Sequence, residues 1–422
     1  MIAVVGGGIT GLVLGYELEQ LGVDHVVLEA GARPGGVIRS ARVDGRILEW
    51  GPQRTRLTSA MRDLVGKLGL EDQVLTAPGD LDLFVYRKGR LRRVPFSAID
   101  FLRSDIVGPL AKLRLALEPF TAGADPNERV AGYFTRKVGR EVYETLIAPL
   151  YGGLYGSDPA DMVVGLSLGH VLREFGIRRS LTLPLLKRGG RIEPPAPLSF
   201  KEGMQTLPLA LAQALGERLR LSSPVRTLRP LGAGWKLELD GGETLDAAQV
   251  VLTVPAPVAA ELLRAVAPAA ASALGELHYN PLAVVHLDAD TPLRGLGFQV
   301  AFTERDLTLR GVTFNDSLFG RRNVYTAYLG GARRPEVVDL ADEELARLAV
   351  DEFRRCTGYE AGPLAVEQET MPAWDVSWSA LEDLRLPEGI RVAANWASRP
   401  GIPGRLVDAR RTASALAKRA RR

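Results

Sequence analysis

The sequence predicts an α/β chain in which a discontinuous, Rossmann-like dinucleotide-binding domain is completed by a mixed-sheet domain and a helical domain. Three observations predict it. An apolar strand, Ile2 to Val5, runs straight into Gly6, Gly8 and Gly11 and then into a helix. A second strand, His25 to Leu28, delivers the acid Glu29. The α/β pattern then lapses and resumes only near residue 199.

In the first element, Gly6 permits the tight turn, Gly8 lets backbone approach a pyrophosphate, and Gly11 lets the helix pack on the strand. Ile9 and Thr10 open that helix, whose first-turn N–H groups and positive dipole end face the phosphates. The helix is expected from about Thr10 to Leu21, closed by Gly22. Glu29 stands where a ribose hydroxyl pair is held. A glycine turn without a nucleotide is the plainer alternative, and the order of strand, turn, helix, strand and acid argues against it.

The next segment, Glu29 to Gly36, adds a second glycine pair. Gly35 and Gly36 let the chain turn close to an extended cofactor, with Ala30 beside the acid and Arg33 adding charge near the phosphates. A strand from Arg46 to Trp50 leads to the turn of Gly51, Pro52 and Gln53. A hairpin-like stretch, Leu83 to Pro95, precedes a largely helical block to about Phe175. Within it, Asp125 and Pro126 look like the cap and first turn of a helix. The segment Arg140 to Pro159 reads as a helix running into a glycine-rich turn, so that Gly152 and Gly153 are by pattern simply a loop. Leu183 to Pro197 is proline-marked and expected to lack regular helix. Leu198 to Pro208 returns to α/β pattern, followed by Ser223 to Leu228, and the segments Gly295 to Val300, Gly311 to Phe319 and Tyr325 to Gly331 read as a strand series.

Taken in order, from residue 1 to about 415, these segments resemble the protoporphyrinogen oxidase and coproporphyrinogen III oxidase family, FAD-dependent members of the amine oxidase-like flavoprotein superfamily. The resemblance implies FAD rather than NAD and a GR2-type FAD-binding domain over 1–80, 199–268 and 370–422. It implies a substrate domain over 269–369 with contributions from about 38–58, and a membrane-associating helical domain over 96–195. Carried over residue by residue, the backbone of Val225 meets the adenine, and Trp374, Gly401 and Ile402 join the N-terminal glycines around the flavin. Gly153, from the family's active-site loop, lines the substrate pocket with Leu83, Gln299, Thr313 and Tyr328. Gln299 and Thr313 read equally as ordinary strand residues. Arg54 or Arg56 is placed to meet a propionate, and each reads equally as a surface arginine.

The sequence departs from the family at three places. Trp374 is followed by Asp-Val-Ser-Trp-Ser-Ala rather than the family's Pro-Gln-Tyr. The C-terminal flavin turn reads Ala394 to Arg405 with Pro400 and Pro403, which cannot donate. Leu83 replaces an arginine of plant and animal members, so a substrate carboxylate needs another basic partner.

Composition sets the outer limits. At 422 residues the chain is long for one domain, and 46% hydrophobic and 24% charged residues are ordinary globular values. Its one cysteine, Cys356, excludes an intrachain disulfide or cysteine metal site and is read as a buried apolar group in a helix from Asp342. Four scattered histidines carry no metal spacing, so no metal is expected. No signal or transit peptide is expected, and no apolar run is long enough to span a bilayer. A net charge of +3 does not suggest nucleic acid. The cluster Arg87, Lys88, Arg90, Arg92 and Arg93 reads as a solvated hairpin or as a contact with anionic head groups, and the basic tail from Lys418 complements a helix dipole.

The expected function is therefore oxygen-dependent oxidation of a porphyrinogen in heme biosynthesis, protoporphyrinogen IX or coproporphyrinogen III. The resemblance implies hydride transfer to flavin N5, three flavin cycles, and reoxidation by dioxygen. The flavin carries the chemistry, so no obligatory catalytic side chain is expected. Partners implied are the porphyrinogen, dioxygen, a peripheral membrane surface and ferrochelatase, with a cytoplasmic location at the inner face of the cell membrane. A flavin amine oxidase and a non-enzymatic flavin-binding protein are the alternatives.

Overall fold

A computed structural model describes residues 1–187, 195–398 and 400–420 of the chain. It divides into two compact units, Met1–Thr76 with Pro195–Leu277 and Ala380–Arg422, and Ala77–Pro194 with His278–Ser379.

The first unit is built on β1 (Ile2–Val5), α1 (Ile9–Gln20) and β2 (His25–Leu28). β1 is the centre of a five-stranded parallel sheet, flanked by β2 on one side and by Gln249–Leu252 on the other, with Leu219–Arg220 and Ile390–Val392 outside them. All four residues of β1 are buried, as expected of a parallel strand covered on both faces. The cover on one side comes from α1 and Ile402–Ala420, whose Leu12, Leu14, Leu18, Leu406, Ala409 and Leu416 belong to one apolar cluster. Asp44 and Gly45, both at positive φ, turn the hairpin Ser40–Val43 into Arg46–Glu49, the backbone form that Asp-Gly favours. That hairpin lies in this first unit. Its buried Glu49 accepts from Ser40 Oγ at 2.6 Å and from the Met204 N–H at 2.9 Å.

The second unit carries a seven-stranded mixed sheet in the order Gly362–Pro372, Tyr279–Asp288, Val324–Gly330, Leu309–Phe314, Gly297–Val300, Leu83–Arg87, Arg90–Arg93. Its one parallel pair joins Gly297–Val300 to Leu83–Arg87. One face packs Phe298, Val312, Phe314 and Leu329 on the helix Asp342–Thr357 through Leu345, Ala349 and Phe353. Cys356 is buried there as expected, and burial pushes its thiol up to about 12. Val85 and Ala301 join a separate cluster with the helical segment's Val130, Tyr133, Leu146 and Tyr155. The helical segment thus folds within the same unit as the sheet.

Within that segment, Lys137 and Glu118, both fully buried, pair at 2.7 Å. Glu118 also accepts from Ser180 Oγ at 2.6 Å, Thr182 Oγ1 at 2.7 Å and the Leu181 N–H at 2.9 Å, while Lys137 donates to Thr121 Oγ1 and the Arg179 carbonyl. The pair ties Val130–Val138 to the turns on either side of it.

Three local expectations are corrected. The helix expected at Asp125 begins only at Val130, because Glu128 to Val130 is held extended by the bonds Val130 N–H to Met162 O and Val164 N–H to Glu128 O; Asp125 instead caps the Asn127 N–H. Gly152 and Gly153 are not loop but lie in the helix Ala148–Tyr155, which ends on left-handed Gly156. The preceding Tyr143–Ile147 winds as a wider π-type turn, consistent with Pro149, which can neither donate to nor sit easily against the preceding turn. The proline-marked stretch contains a short helix, Thr182–Lys187, because Pro184 falls in a first turn where its missing N–H costs nothing. Residues 188–194 of that stretch, Arg399, and Arg421 and Arg422 of the basic tail lie outside the described residues.

Candidate active site

The first unit forms a cradle from backbone. Gly6 has φ +111°, and a Cβ there would stand 2.7 Å from Thr253 Oγ1. A Cβ on Gly11 would stand 1.9 Å from the Gly6 carbonyl oxygen, so the third glycine is required for α1 to leave the strand at this angle. Around Gly8 no atom comes within 4 Å of a built Cβ, and no side chain caps α1, so the open side of the turn meets an uncapped helix N-terminus at Ile9 and Thr10. This arrangement suits an anion.

Glu29 reaches this turn from the end of β2. Its Oε2 accepts from the Gly7 N–H at 2.6 Å and its Oε1 from the Gly31 N–H at 2.7 Å, which orients the carboxylate and leaves lone pairs for hydroxyls. A Cβ on Gly7 would stand 2.7 Å from that of Glu29, so the central glycine makes room for the acid. Gly35, at φ +106°, donates to the Gly7 carbonyl, and Gly36 packs on Gly8. Ala30 is exposed beside Glu29. Arg33 is exposed and donates to the Gly36 carbonyl at 2.9 Å.

Gly51 is a second close approach, with a built Cβ 2.0 Å from the Val37 carbonyl oxygen. Buried Gln53 spends its amide on the carbonyls of Glu49 and Gly51, which fixes the turn through Pro52. Val225 begins a three-stranded antiparallel sheet, paired with Leu239. Gly401, at φ +82°, precedes Ile402 at the start of the last helix. Arg405 braces the loop before it through the carbonyls of Ala394, Asn395 and Ser398. Arg56 donates to the Pro195 carbonyl at 3.0 Å, and Arg54 is half-buried next to the short strand Thr55–Arg56.

The second unit brings its expected residues onto one stretch of sheet. Tyr328 pairs with Gly311, Gly311 with Gln299, and Gly297 with both Thr313 and Leu83, so the alternation of the strands turns Leu83, Gln299, Thr313 and Tyr328 to a common face. Thr313 Oγ1 and Tyr328 Oη are 3.3 Å apart. Gly153 lies over this face: a Cβ there would stand 2.7 Å from Gln299 Oε1. Trp374, also in this unit and at φ +52°, stacks on Trp378 at 5.4 Å between centroids. Among the described residues no group of three His, Cys, Asp or Glu is placed to hold a metal.

These observations fit an extended dinucleotide with a flavin, and the pattern of the flavin containing amine oxidoreductases matches residues 9–384. The chain belongs to this family. This flavoprotein oxidase is 31% identical over 353 residues to the protoporphyrinogen oxidase of Bos taurus, covering 75% of the chain and 73% of the relative. It is 27% identical over 416 residues to the coproporphyrinogen III oxidase of Bacillus subtilis, covering 89% and 87%. A solved structure from Exiguobacterium sp. 255-15, described as a candidate protoporphyrinogen oxidase, superposes with a TM-score of 0.81 at 22% identity over 99% of the chain and 98% of that protein. The flavoprotein has the FAD-binding α/β fold with mixed sheets, and FAD is its cofactor.

Sequence reasoning missed Gly7, whose lack of a side chain admits Glu29, and Thr253, whose hydroxyl lies 2.9 and 2.8 Å from the carbonyls of Val5 and Gly6. The triple glycine was a signal for the first; nothing local signals the second. Glu29→Ala is expected to weaken FAD by about 1.5–3 kcal/mol, the range for hydrogen bonds to a charged acceptor. Titration of the apoprotein with FAD measures it, and unaltered affinity would remove Glu29 from the site.

Proposed function

We propose that this flavoprotein oxidises a porphyrinogen, protoporphyrinogen IX or coproporphyrinogen III, to the porphyrin of heme biosynthesis with dioxygen as acceptor. The carrying observation is the common face of Leu83, Gln299, Thr313 and Tyr328, uncharged and approached by Gly153, where any side chain would run into Gln299. When bound, FAD would supply the hydride acceptor, N5, and the redox chemistry that links the substrate to dioxygen. Gly6, Gly8, Gly11 and Glu29 would hold the cofactor's phosphates and ribose, with Gly35, Gly36, Gly51 to Gln53, Val225, Gly401 and Ile402 completing the cradle. The residues of the face orient the macrocycle and exclude water, with Tyr328 offering a ring face and Thr313 and Gln299 polar contacts.

Anaerobic mixing with both porphyrinogens and a panel of amines tests this: flavin bleaching by a porphyrinogen supports it, and bleaching by amines alone rejects it. The amine reading calls for two aromatic rings with a gap between them, whereas Trp374 and Trp378 stack directly on each other. Gln299→Leu with Thr313→Leu is expected to shift the ratio of kcat/KM toward the less acidic protoporphyrinogen IX by about tenfold, the effect of about 1.4 kcal/mol. An unaltered ratio would free substrate choice from these two side chains.

We further propose peripheral attachment at the inner face of the cell membrane, where ferrochelatase would be the recipient partner. Exposed Ile99, Leu102, Leu110, Leu113 and Phe120 on the helical segment support it. The nearby arginine cluster is less free than its charge suggests: Arg87 is buried on Glu141 and the Ile106 carbonyl, Arg90 pairs with Asp105, and Arg93 with Asp82. Among the described residues no helix is long and apolar enough to cross a membrane. Binding to anionic vesicles should weaken with salt in proportion to the electrostatic share and persist through the apolar share. Complete insensitivity to Leu110→Asp with Leu113→Asp would reject the helical segment as the contact.

A further inference from the structure

Arg310 lies between Leu309 and Gly311, where pairing to Leu329 and Tyr328 steps over one residue, so it is a bulged position on the strand that carries Thr313. Its guanidinium carbon stands 5.1 Å from the centroid of the Phe302 ring, and that of Arg333 stands over the same ring at 4.1 Å. Arg333 has polar partners: it donates to the Phe302 carbonyl at 3.3 Å and lies 3.8 Å from Asp158. Among the described residues, half-buried Arg310 makes no hydrogen bond or ion pair and has a second cation as neighbour. Burial, and then the charge of Arg333, pull it down to about 10 against the opposing pull of Asp158, which still leaves it cationic at neutral pH. With no hydrogen-bonded partner, the guanidinium keeps its five N–H donors for an incoming anion.

Its place relates it to the substrate face. A Cβ on Gly152 would stand 3.2 Å from the edge of Phe302, and the next residue, Gly153, faces Gln299. Gly311, the residue after Arg310, faces the same Gln299, with a built Cβ 2.9 Å from its Nε2. Arg310 is therefore one residue removed, along its strand, from the surface on which Gly153, Gln299, Thr313 and Tyr328 meet. Leu83, on the same sheet, offers no charge.

We propose that Arg310, steadied by Phe302 and with Arg333 beside it, binds a carboxylate of the substrate at the rim of that face. The planar guanidinium fork matches a carboxylate in two parallel hydrogen bonds, and the ring fixes the plane of the fork before the acid arrives. The inference rests on the porphyrinogen reading and specifies how an acid-bearing macrocycle is held.

The test uses FAD-loaded wild type, Arg310→Met and Arg310→Lys, checked for flavin content and melting temperature. Each is titrated by fluorescence with coproporphyrin III as the free acid and as its tetramethyl ester in mild detergent, and assayed with coproporphyrinogen III. The Met variant is expected to lose about tenfold or more in affinity for the acid with the ester unaffected, and to raise KM with kcat held; the Lys variant falls between, since it keeps the charge and loses the fork. Equal losses for acid and ester, or none for either, overturn the role of Arg310 while wild-type turnover leaves the oxidase reading standing. Wild type that oxidises no porphyrinogen overturns both. If the Met variant does not fold, the Lys variant decides: a selective loss for the acid supports the site, and its absence overturns it.

Discussion

Gly11→Val is expected to purify colourless. The built Cβ falls 1.9 Å from the Gly6 carbonyl oxygen and 2.7 Å from Thr253 Oγ1, and the first obstacle is backbone. That backbone has little freedom to yield, since β1 is paired on both sides and Thr253 holds the carbonyls of Val5 and Gly6. Overpacking of this kind costs about 3 kcal/mol or more, enough for a loss of FAD affinity on the order of a hundredfold. The ratio of flavin to protein absorbance measures it. Gly8→Ala is the informative contrast: its methyl would meet no protein atom within 4 Å, so the melting temperature of apoprotein should hold while FAD weakens. Yellow Gly11→Val protein with wild-type affinity would mean that the glycine turn does not hold the cofactor.

Lys137→Met should be the most destabilising single change in the second unit. It leaves Glu118 fully buried without its counter-charge, and breaking a buried pair on one side costs about 3–5 kcal/mol. A fall in melting temperature on the order of 10 °C should follow. Adding Glu118→Leu should recover much of the loss, because no unpaired ion then remains. The pH dependence has a definite sign. Burial pushes the Glu118 carboxyl up, but hydrogen bonds from Lys137, Ser180, Leu181 and Thr182 outweigh it and hold the group at about 2. A carboxyl depressed in the folded state contributes stability that is complete above its unfolded value of 4.5 and is lost as pH falls toward about 2. Wild type should therefore lose stability across that acid range, and the double variant should lose less.

Much of the first unit was legible because its function is written in backbone. Gly6, Gly8 and Gly11 are places where a side chain cannot fit or where the chain must stay open, and their spacing reports that, whereas Gly35 and Gly51 were reached through the family resemblance. Gln299, Thr313 and Tyr328 were reached through the family resemblance, and strand alternation then turns them to one face. What was not legible depends on partners distant in sequence. The late start of the helix at Val130 follows from pairing with Met162 and Val164, which overrides the local cap signal of Asp125. Gly152 and Gly153 pass for a loop by propensity, yet they lie in a helix, where the close approach of Gln299 and Phe302 leaves no room for a side chain. The arginines at 87, 90 and 93 look like an unshielded patch until Glu141, Asp105 and Asp82 are seen beside them. Arg310 gives no signal in sequence, since a charged residue in a strand ordinarily points to water.

The first unit has a timetable built into it. β1 cannot take its place in the sheet before residues 249 to 252 exist, and the apolar flank of α1 waits for Leu406 to Leu416. During synthesis, therefore, the glycine turn emerges long before the helix that supports it, with the whole second unit's sequence translated in between. At roughly 5–20 residues per second, that leaves tens of seconds in which an apolar helix stands without its neighbour. Cofactor capture belongs after translation of the last helix, and cells short of chaperones should accumulate this protein as aggregate before they accumulate it as soluble apoprotein.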